Sequence, residues 1–563
     1  SPGGVSSGLE LWLDANEYTN SGTMPDGVGL TDLSGQGNHF TSVLGDPQIT
    51  QNSLNFNVNV FYDGDDNAFN PGASFTGDNT AGEVFTILNE ATNGAYGPFQ
   101  LSSGSNGDAY HWSDFNLYIS YGTTDNLGWH ANSGNISNAK AGVSSITNTG
   151  VDVDDYHLFN VYSETNNWGV GFNGAMQATT STNTVSFSNF TERIASTVNG
   201  FWRGSMPEII AYDRVLTPTE RNQVNTYMAV KYGVTLNNDY VASDGTTVWD
   251  ISTSPTYNND IIGLARDDAS GNLNQRVSES VNIVDVTNPS GLVTMALDND
   301  FTSSNVDASR TTTHTNALQY VIIGNNGGTT DMTQTTELPF PYEVRMAREW
   351  RMKTTNFSQT VHLRFDSETC KSTSVASYYL LSDTDGDFSS GATVIGKLDG
   401  AGVISFASGD FYLTVVGDLK YPGGVSTNLQ FWVVGDDAST DVDGALVSQW
   451  QDQSGNRLHA TQASSVNQPF YQAADGANNF NFHGGILFSP GGSDRWVEAP
   501  DNTVFETLDR AMYVVSRAPH GAAGDYRVVL SRKQETNWDN GWILTGTGSS
   551  MGYEHSDWLN TVD

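Results

Sequence analysis

Short runs of apolar and aromatic residues, separated by turns rich in Gly, Asn and Asp, make up most of this 563-residue chain. Runs of this length and composition predict β-strands. In the first part of the chain we predict strands at residues 9–13, 57–62, 157–162, 168–172 and 208–212. The dipeptide Asn173-Gly174 directly follows the fourth run and predicts a two-residue hairpin turn. Many short strands with turns about every 8–12 residues predict an all-β fold built from β-sandwiches.

One segment has the pattern of a helix instead. Thr217-Pro-Thr-Glu220 is a capping box with Pro at the first helical position, so Thr217 can accept from a backbone amide while Glu220 reaches back. Helical spacing continues at Val224, Tyr227, Met228 and Lys231, and Gly233 supplies a left-handed end. The sequence therefore predicts one short helix near residues 218–232.

An internal repeat relates the two ends of the chain. Ser1-Pro-Gly-Gly-Val-Ser recurs as Tyr421-Pro-Gly-Gly-Val-Ser, at an offset of 420 residues. The same offset relates five further pairs: Trp12 and Trp432, Asp32 and Asp452, Ser34 and Ser454, Gly35 and Gly455, and His39 and His459. This agreement indicates a duplicated domain. A duplicated residue can serve the fold as readily as a site, so the repeat alone assigns no chemistry.

The repeat and the helix together predict three domains, at residues 1–235, 236–420 and 421–563. The middle domain lacks the repeated opening motif and predicts a second, smaller β-sandwich, with strands at 260–264, 291–297, 317–324, 360–365, 377–381 and 411–416. The third domain has 143 positions and no counterpart of the helix. A sandwich cut there would leave open strand edges. We therefore expect the polypeptide to continue past residue 563, or another chain to supply the missing strands, and we favour continuation.

The charge of the chain limits its partners. It has 63 Asp and Glu residues against 24 Lys and Arg, a net charge of −39. Nucleic acids are excluded because neutralising phosphates needs a basic face, and an anionic membrane surface is excluded for the same reason. The sequence contains no run of eighteen apolar residues, so it predicts no membrane-spanning helix.

The cysteine content bears on localisation. The single cysteine, Cys370, cannot form an intramolecular disulfide. The chain is also rich in Gly, Ser, Thr and Asn and poor in Lys, which favours an exported, extracellular protein that is stabilised without disulfides. Because carboxylates are plentiful, Ca²⁺ is the cofactor we expect in that stabilising role.

Several motifs resemble one family. Those in the first domain are Leu9-Glu-Leu-Trp-Leu-Asp14, Asp32-Leu-Ser-Gly-Gln-Gly-Asn-His39, Phe61-Tyr-Asp-Gly64 and Glu208-Ile-Ile-Ala-Tyr-Asp-Arg-Val-Leu-Thr217. They resemble the laminin-G-like, concanavalin-A-like jelly-roll domains of large bacterial surface proteins. Gly263-Leu-Ala-Arg-Asp-Asp268 and Leu273-Asn-Gln-Arg-Val-Ser278 resemble a β-rich domain of unknown function that often follows such jelly rolls. The resemblance implies jelly rolls at 1–235 and 421–563, surface display, and adhesion or glycan binding, but no particular ligand.

Clustered aspartates are the candidate metal ligands. Asp383-Thr-Asp-Gly-Asp387 places Asp383, Asp385 and Asp387 at alternate positions of a turn, and Ca²⁺ prefers six to eight such oxygen ligands. The spacing departs from an EF-hand, so a solvated acidic turn is the alternative interpretation. Asp63, Asp65 and Asp66 form a second candidate, and Asp436, Asp437, Asp441 and Asp443 form a third.

We assign a structural role to the duplicated Asp-x-Ser-Gly segment. Asp32 can accept from amides two residues further on while Gly35 takes a positive φ, an Asx turn, with His39 packed behind it. A metal role for Asp32 is the alternative. The same two interpretations apply to the second copy, at Asp452 and His459.

Dense aromatic residues offer a candidate ligand site. Tyr110, Trp112 and Trp129, with Asp114 between them, lie among polar residues suited to loops. A sugar can stack its apolar face on such rings while Asp binds its hydroxyls. The alternative is that these rings pack the core of the sandwich.

Enzymatic activity is not expected. Glycoside hydrolysis needs two carboxylates about 5–9 Å apart, and neither Glu-x-Asp nor Glu-x-x-x-Glu occurs on a predicted strand of the first domain. Glu208 is placed at the head of a strand whose next three residues are apolar.

We therefore expect a calcium-stabilised segment of a bacterial surface adhesin that binds glycans or proteins. Neighbouring copies of the same chain are a further candidate partner. A structural spacer or filament is the first alternative, and a secreted polysaccharide hydrolase with binding modules is the second.

Overall fold

The chain is described here from a computed structural model. The description covers all residues except 25–28, 71–80, 91–98, 104–134, 139–142, 148–154, 182–189, 198–199, 283–292, 340–341, 343, 367–374, 420, 423–424, 426–427, 455, 457, 474–482, 489–494, 501, 503–510, 517–526, 535–536, 548–549 and 556–563. The fold is all-β, as the sequence predicted, and divides into two compact units, Ser1–Leu419 and Lys420–Asp563.

The first part of the chain contains seventeen described strands and two single-turn 3₁₀ segments, Pro2–Gly4 and Ala15–Glu17. The strands are β1 (Leu9–Asp14), β2 (Gly22–Thr23), β3 (Ser42–Leu44), β4 (Gln48–Leu54), β5 (Asn57–Asp63), β6 (Ala68–Asn70), β7 (Ala81–Glu90), β8 (Phe99–Ser103), β9 (Asn135–Asn138), β10 (Val143–Thr147), β11 (His157–Glu164), β12 (Asn167–Phe172), β13 (Ala175–Thr180), β14 (Phe190–Ile194), β15 (Ser196–Thr197), β16 (Gly200–Phe201) and β17 (Arg203–Tyr212).

Two sheets enclose the first core. A nine-stranded sheet has the order β13-β12-β11-β7-β17-β5-β4-β2, with β1 also pairing β17, and a four-stranded sheet has the order β3-β6-β14-β8. One cluster of buried side chains joins them: Tyr62 of β5 packs edge-on against Phe69 of β6, with ring centroids 5.9 Å apart. The first part of the chain is therefore a β-sandwich.

The two clearest local predictions are confirmed. Asn173 and Gly174 have φ angles of 48° and 81° between β12 and β13, the doubly positive pair that a two-residue type I′ hairpin requires. The helix, α1 (Pro218–Tyr232), begins with the predicted capping box and ends at Gly233 with φ 70°. Several strand bounds differ from the prediction, and one of them matters for the site: β17 starts at Arg203, so Glu208 lies inside a strand rather than at its head.

Fourteen described strands follow in the middle of the chain. They are β18 (Tyr240–Val241), β19 (Thr247–Trp249), β20 (Asn259–Asp267), β21 (Leu273–Gln275), β22 (Val277–Ser278), β23 (Val293–Ala296), β24 (Gln319–Asn325), β25 (Met332–Gln334), β26 (Val344–Thr355), β27 (Thr360–Phe365), β28 (Val375–Asp383), β29 (Thr393–Lys397), β30 (Val403–Ala407) and β31 (Phe411–Leu419). An eight-stranded sheet, β21-β20-β24-β26-β31-β28-β29 with β25 on β26, packs on a four-stranded sheet, β22-β23-β27-β30. Trp350 and Phe365 meet across the two sheets with centroids 5.4 Å apart.

Helix α1 lies inside a core that both sandwiches share. All nine residues from Val224 to Tyr232 are buried. A helical segment without an exposed face needs packing partners on more than one side. One buried cluster supplies them, because it contains Trp12 and Phe85 from the first sandwich and Tyr320 and Ile322 from the second. Residues 1–419 consequently form one compact unit, and the boundary at 235–236 falls within it.

The second unit contains the strands β32 (Val433–Ala438), β33 (Gln449–Asp452), β34 (Ala460–Thr461), β35 (Phe470–Gln472), β36 (Gly485–Leu487), β37 (Arg527–Gln534), β38 (Asn537–Thr547) and β39 (Ser550–His555). They pair as β32-β33-β34, β35-β36 and β37-β38-β39. No helix in the described part of the chain is long and apolar enough to cross a membrane.

Candidate functional site

Three carboxylates converge at one end of the first sandwich. Asp46 lies in the turn between β3 and β4, Asp63 ends β5, and Asp66 lies in the turn from β5 to β6. One oxygen from each can be chosen so that all lie within 4.8 Å of one another. Within the described residues this is the one such group of three Asp, Glu, His or Cys side chains. Asp46 and Asp66 are exposed and Asp63 is half-buried, so a cation can reach them from solvent.

The neighbouring residues fit a hard cation. Asn67 is 1% exposed; its Nδ2 donates to Asp63 and Asp66, while its Oδ1 has no hydrogen-bond partner. A half-turn of this amide would direct Oδ1 towards the carboxylates, adding a fourth oxygen of the kind that Ca²⁺ prefers. Gly45 has φ 69°, and a Cβ there would lie 2.2 Å from Asp66 Oδ1. Only glycine therefore lets this turn bring Asp46 so close to Asp66.

The observed cluster overlaps only in part with the predicted ligands Asp63, Asp65 and Asp66. Asp63 and Asp66 belong to the cluster, but Asp65 does not; its backbone N donates to Asp63 Oδ1 at 2.9 Å. Asp46 takes the third place. The sequence does indicate that Asp46 lies in a turn, since Gly45-Asp46-Pro47 is a turn tripeptide with one carboxylate. It does not indicate that Asp46 meets Asp63 and Asp66, which lie seventeen or more residues further along the chain.

The Asp383–Asp387 turn uses its carboxylates differently. Asp383 is 3% exposed, and its Oδ1 accepts from the amides of Asp385 and Gly386 at 2.7 and 2.9 Å. Asp385 accepts from the amide of Asp387 at 2.9 Å, and Asp387 accepts from the amide of Ser389 at 3.0 Å. Each carboxylate therefore caps the turn after it, and the three oxygens do not gather within 4.8 Å. Calcium at this turn stays a prediction.

The remaining candidates have less structural support. Asp436 bonds His483 Nδ1 at 3.0 Å, and Asp443 accepts from the amide of Ala473 at 2.9 Å, so these two serve separate contacts. Neither they nor Asp437 and Asp441 belong to a three-ligand group in the described chain. The aromatic candidates Tyr110, Trp112 and Trp129, with Asp114, lie outside the described residues.

The duplicated Asp-x-Ser-Gly segment forms a turn in both copies. Asp32 Oδ1 accepts from the amides of Trp12 and Ser34 at 3.0 and 2.9 Å, and Oδ2 accepts from Ser34 Oγ and the amide of Asn38. Its own amide donates to Nδ1 of His39 at 3.0 Å.

Asp452 repeats this set: the amides of Trp432, Ser454 and Leu458 and the hydroxyl of Ser454 donate to it, and its own amide donates to His459. Four donors satisfy each carboxylate. This supports the structural role over the metal role.

A buried charge network centres on Glu208, which is 1% exposed. Its carboxylate accepts from Nε1 of Trp12 at 2.7 Å and from the hydroxyls of Tyr227 and Tyr232 at 3.0 and 2.7 Å. Lys231 Nζ lies 2.6 Å from both Glu208 Oε2 and Asp14 Oδ2. Burial alone would lower the pKa of Lys231, but the charges of Asp14 and Glu208 raise it above its ordinary value.

A second buried pair fixes the other end of α1. Glu83 of β7 is fully buried; it pairs with Arg221 Nε at 2.5 Å and accepts from the amide of Leu216 at 2.7 Å. Burial raises the pKa of Glu83, against the opposing effect of Arg221. Both buried glutamates are thus bound to cations of one helix, and their side chains are shielded from solvent.

Sequence reasoning missed these pairs, although signals existed. Lys231 falls within the apolar stripe of the helix, and Glu208 lies in an otherwise apolar strand. A charged residue at a core position needs a partner of opposite charge. Lys231 and Glu208 have opposite charges and lie in the same predicted domain, so the sequence could have predicted that they form a pair.

Comparisons with known proteins give a family only for part of the chain. Residues 220–412, about a third of the chain, match the model of a domain of unknown function, DUF8202. This match starts inside α1, so the helix belongs with the second sandwich as much as with the first. No curated protein matches the chain.

Solved structures resemble the chain only weakly. Domain 4 of AbnA, a GH43 extracellular arabinanase from Geobacillus stearothermophilus in complex with arabinotriose, is 10% identical with a TM-score of 0.26, covering 38% of this chain and 98% of that one. A mutant GH54 α-L-arabinofuranosidase is 12% identical with a TM-score of 0.27, over 39% and 59%. Trypanosoma rangeli sialidase is 12% identical with a TM-score of 0.26, over 39% and 33%. Likeness at this level assigns no function.

Proposed function

We propose that this chain is a calcium-stabilised segment of a bacterial surface adhesin, which acts outside the cell by binding glycans or proteins. The observation that carries the proposal is the convergence of Asp46, Asp63 and Asp66 beside the buried amide of Asn67. Such a group suits an extracellular protein that has one cysteine and so cannot form an internal disulfide.

The position of this cluster explains what a cation would do. β3 and β6 belong to the four-stranded sheet, and β4 and β5 belong to the nine-stranded sheet. The chain therefore crosses between the two sheets once at Asp46 and once between Asp63 and Asp66. A Ca²⁺ ion held by both crossings would join the sheets at their edge and stabilise the folded state by mass action, about 2.7 kcal/mol at a concentration 100 times the Kd.

Binding without catalysis fits the buried glutamates. Among the described side chains of the first sandwich, the buried glutamates are Glu83 and Glu208, and each is paired with a cation of α1. A glycoside hydrolase needs its carboxylates against the sugar in an accessible cleft. We propose recognition through the aromatic residues Trp112, Trp129 and Tyr110, with Asp114, as the function of residues 1–235.

Calcium binding is tested by the melting temperature of the whole chain. We expect the chelated protein to gain several degrees at millimolar Ca²⁺, and Asp46→Asn to abolish most of that gain because it removes one of three charges. Asp65→Asn is the matched control, since Asp65 lies outside the cluster and its variant should respond like the wild type. The calcium proposal fails if the wild type shows no gain, or if the two variants respond alike.

Recognition is tested on a broad glycan array with the full chain, in Ca²⁺ and in chelator. Binding that Trp112→Ala removes would support the adhesin. If the chain instead cleaves a bound glycan and releases reducing sugar, the hydrolase is supported.

A structural spacer is the second candidate, and the shared core around α1 favours it. Because one buried cluster includes side chains of both sandwiches, residues 1–419 form one unit that can transmit force without a flexible joint. An array on which nothing binds, together with a single cooperative unfolding of residues 1–419, would favour the spacer over the adhesin.

A further inference from the structure

Strand β26 concentrates positive charge in a chain that has little of it. Of the 24 Lys and Arg residues in the chain, this one strand contains Arg345, Arg348, Arg351 and Lys353. Three of them have polar partners. Arg345 pairs with Glu337 and Glu349, Lys353 pairs with Asp410 at 2.5 Å, and Arg348 Nε donates to the carbonyl of Gly328 at 2.7 Å.

Arg351 differs from its neighbours. It is half-buried, and its guanidinium carbon lies 4.6 Å from the ring centroid of Tyr412. Its Nε is buried without a hydrogen-bond partner, and no described carboxylate lies within 4.0 Å of its nitrogens. In a chain of net charge −39, a cation on a sheet with no acidic partner among the described residues is an exception that needs a reason.

The surroundings of Arg351 form an aromatic platform. Arg351 faces Tyr412 across the β26–β31 pair, and Gly324 of β24 flanks it on the other side. The ring of Tyr257 lies 5.2 Å from that of Tyr412, tilted by 58°, and both rings are half-buried. Tyr257 donates to Glu349 at 2.8 Å, which fixes its ring. The guanidinium is therefore held against one ring beside a second.

These groups select the chemistry of a ligand. A planar guanidinium binds a carboxylate through two parallel hydrogen bonds, and neighbouring tyrosines pack on the apolar face of a sugar ring. A densely charged polyanion would be repelled by the rest of this acidic chain. A glycan that is neutral apart from one carboxylate would meet the cation without that repulsion.

We propose that Arg351, supported by Tyr412 and Tyr257, binds the carboxylate of a single acidic sugar residue in an otherwise neutral glycan. This inference rests on the proposed glycan-binding function, and it adds a recognition site in the second sandwich. It does not depend on the aromatic candidates Tyr110, Trp112 and Trp129.

The test is calorimetric titration of the full chain with matched pairs of oligosaccharides: glucuronyl-xylotriose against xylotriose, and 3′-sialyllactose against lactose. Sulfated lactose tests whether any anion suffices. We expect at least one carboxylated member to bind and its neutral partner to bind at least about tenfold more weakly.

Two variants and one control locate the site. Arg351→Met should weaken binding of the acidic member at least about tenfold, and Arg351→Lys should restore only part of it, because an ammonium cannot form the planar double contact. Lys353→Met is the control: it lies two residues away on the same side of the strand, is paired with Asp410, and should bind as the wild type does. Circular dichroism and the urea midpoint verify folding of each variant.

The possible failures are distinguishable. If Arg351→Met binds as tightly as the wild type, or if neutral and acidic members bind equally, this inference is wrong while glycan binding stands. If sulfated lactose binds as tightly as the carboxylated oligosaccharides, the site recognises negative charge in general and the proposed selectivity for a carboxylate is wrong. If no glycan binds here or on the broad array, both this site and the proposed glycan-binding function are refuted.

Discussion

Replacing Lys231 by Met should destabilise residues 1–419 more than any surface change. The side chain is 6% exposed, and its Nζ lies 2.6 Å from one oxygen each of Asp14 and Glu208. At an effective dielectric constant of about 20, each contact is worth about 6 kcal/mol of Coulomb attraction. Desolvation of three charges offsets most of that, and removal of one partner of a buried pair typically costs about 3–5 kcal/mol because a charge stays buried without compensation.

The reason for expecting a value in this range is what remains after the substitution. Glu208 keeps three neutral donors, from Trp12, Tyr227 and Tyr232, but loses its cation. Asp14, whose side chain is 10% exposed, loses the same cation. Two carboxylates would then lie close together without the cation that they share. The double variant Lys231→Met with Glu208→Gln removes one of these charges and should recover at least about 1–2 kcal/mol relative to the sum of the single variants.

Urea unfolding of the whole chain, followed by circular dichroism and tryptophan fluorescence, measures these differences as shifts of the midpoint at constant slope. Lys353→Met makes the same substitution at an exposed pair, with side chains 39% and 42% exposed, and should cost less than about 1 kcal/mol. The reasoning is refuted if Lys231→Met costs no more than that control, or if the double variant costs the full sum of the single ones.

Two further predictions follow from the same structure. Thr217→Ala removes the acceptor of the Glu220 amide, at 3.3 Å, and should cost about 1 kcal/mol in the urea midpoint, whereas Thr217→Ser should cost little; equal costs would contradict the capping role. Burial lowers the pKa of His314 from 6.5 to about 4, so the folded protein binds fewer protons than the unfolded chain between these values. Stability from this group is therefore present above pH 6.5 and is lost as the pH falls towards 4, by up to about 3 kcal/mol. His314→Gln should flatten that part of the pH profile of the unfolding free energy, and an unchanged profile would show that the imidazole is not the group responsible.

Local patterns in the sequence predicted local structure well. The capping box and Gly233 gave both ends of α1, and Asn173-Gly174 gave the hairpin turn, because each pattern acts through hydrogen bonds or φ angles within a few residues. The Asx turn at Asp32 is of the same kind: its donor Ser34 is two residues away. These interactions need no knowledge of the tertiary fold.

Interactions between distant residues were predicted poorly, for a physical reason. Asp46 and Asp63 meet only because β3, β4, β5 and β6 pass between two sheets, and no local rule fixes which turns become neighbours. Asp65 was chosen for its sequence proximity, yet its side chain lies outside the cluster. Glu208 and Lys231 are 23 residues apart, and their pairing depends on the helix packing back onto β17.

The distribution of the few cations connects stability to recognition. Arg221, Lys231, Arg310 and Arg345 have side chains at most 11% exposed, and each is paired with a carboxylate, so four of the 24 cations are buried in ion pairs. The net charge of −39 leaves the surface with a strong excess of carboxylates. Such a surface attracts divalent cations and repels polyanions, which favours a calcium site at Asp46, Asp63 and Asp66 and restricts anionic ligands to those with isolated charges. The proposed selectivity of Arg351 therefore depends on the whole charge distribution, and raising the ionic strength should weaken its preference for singly charged over polyanionic glycans.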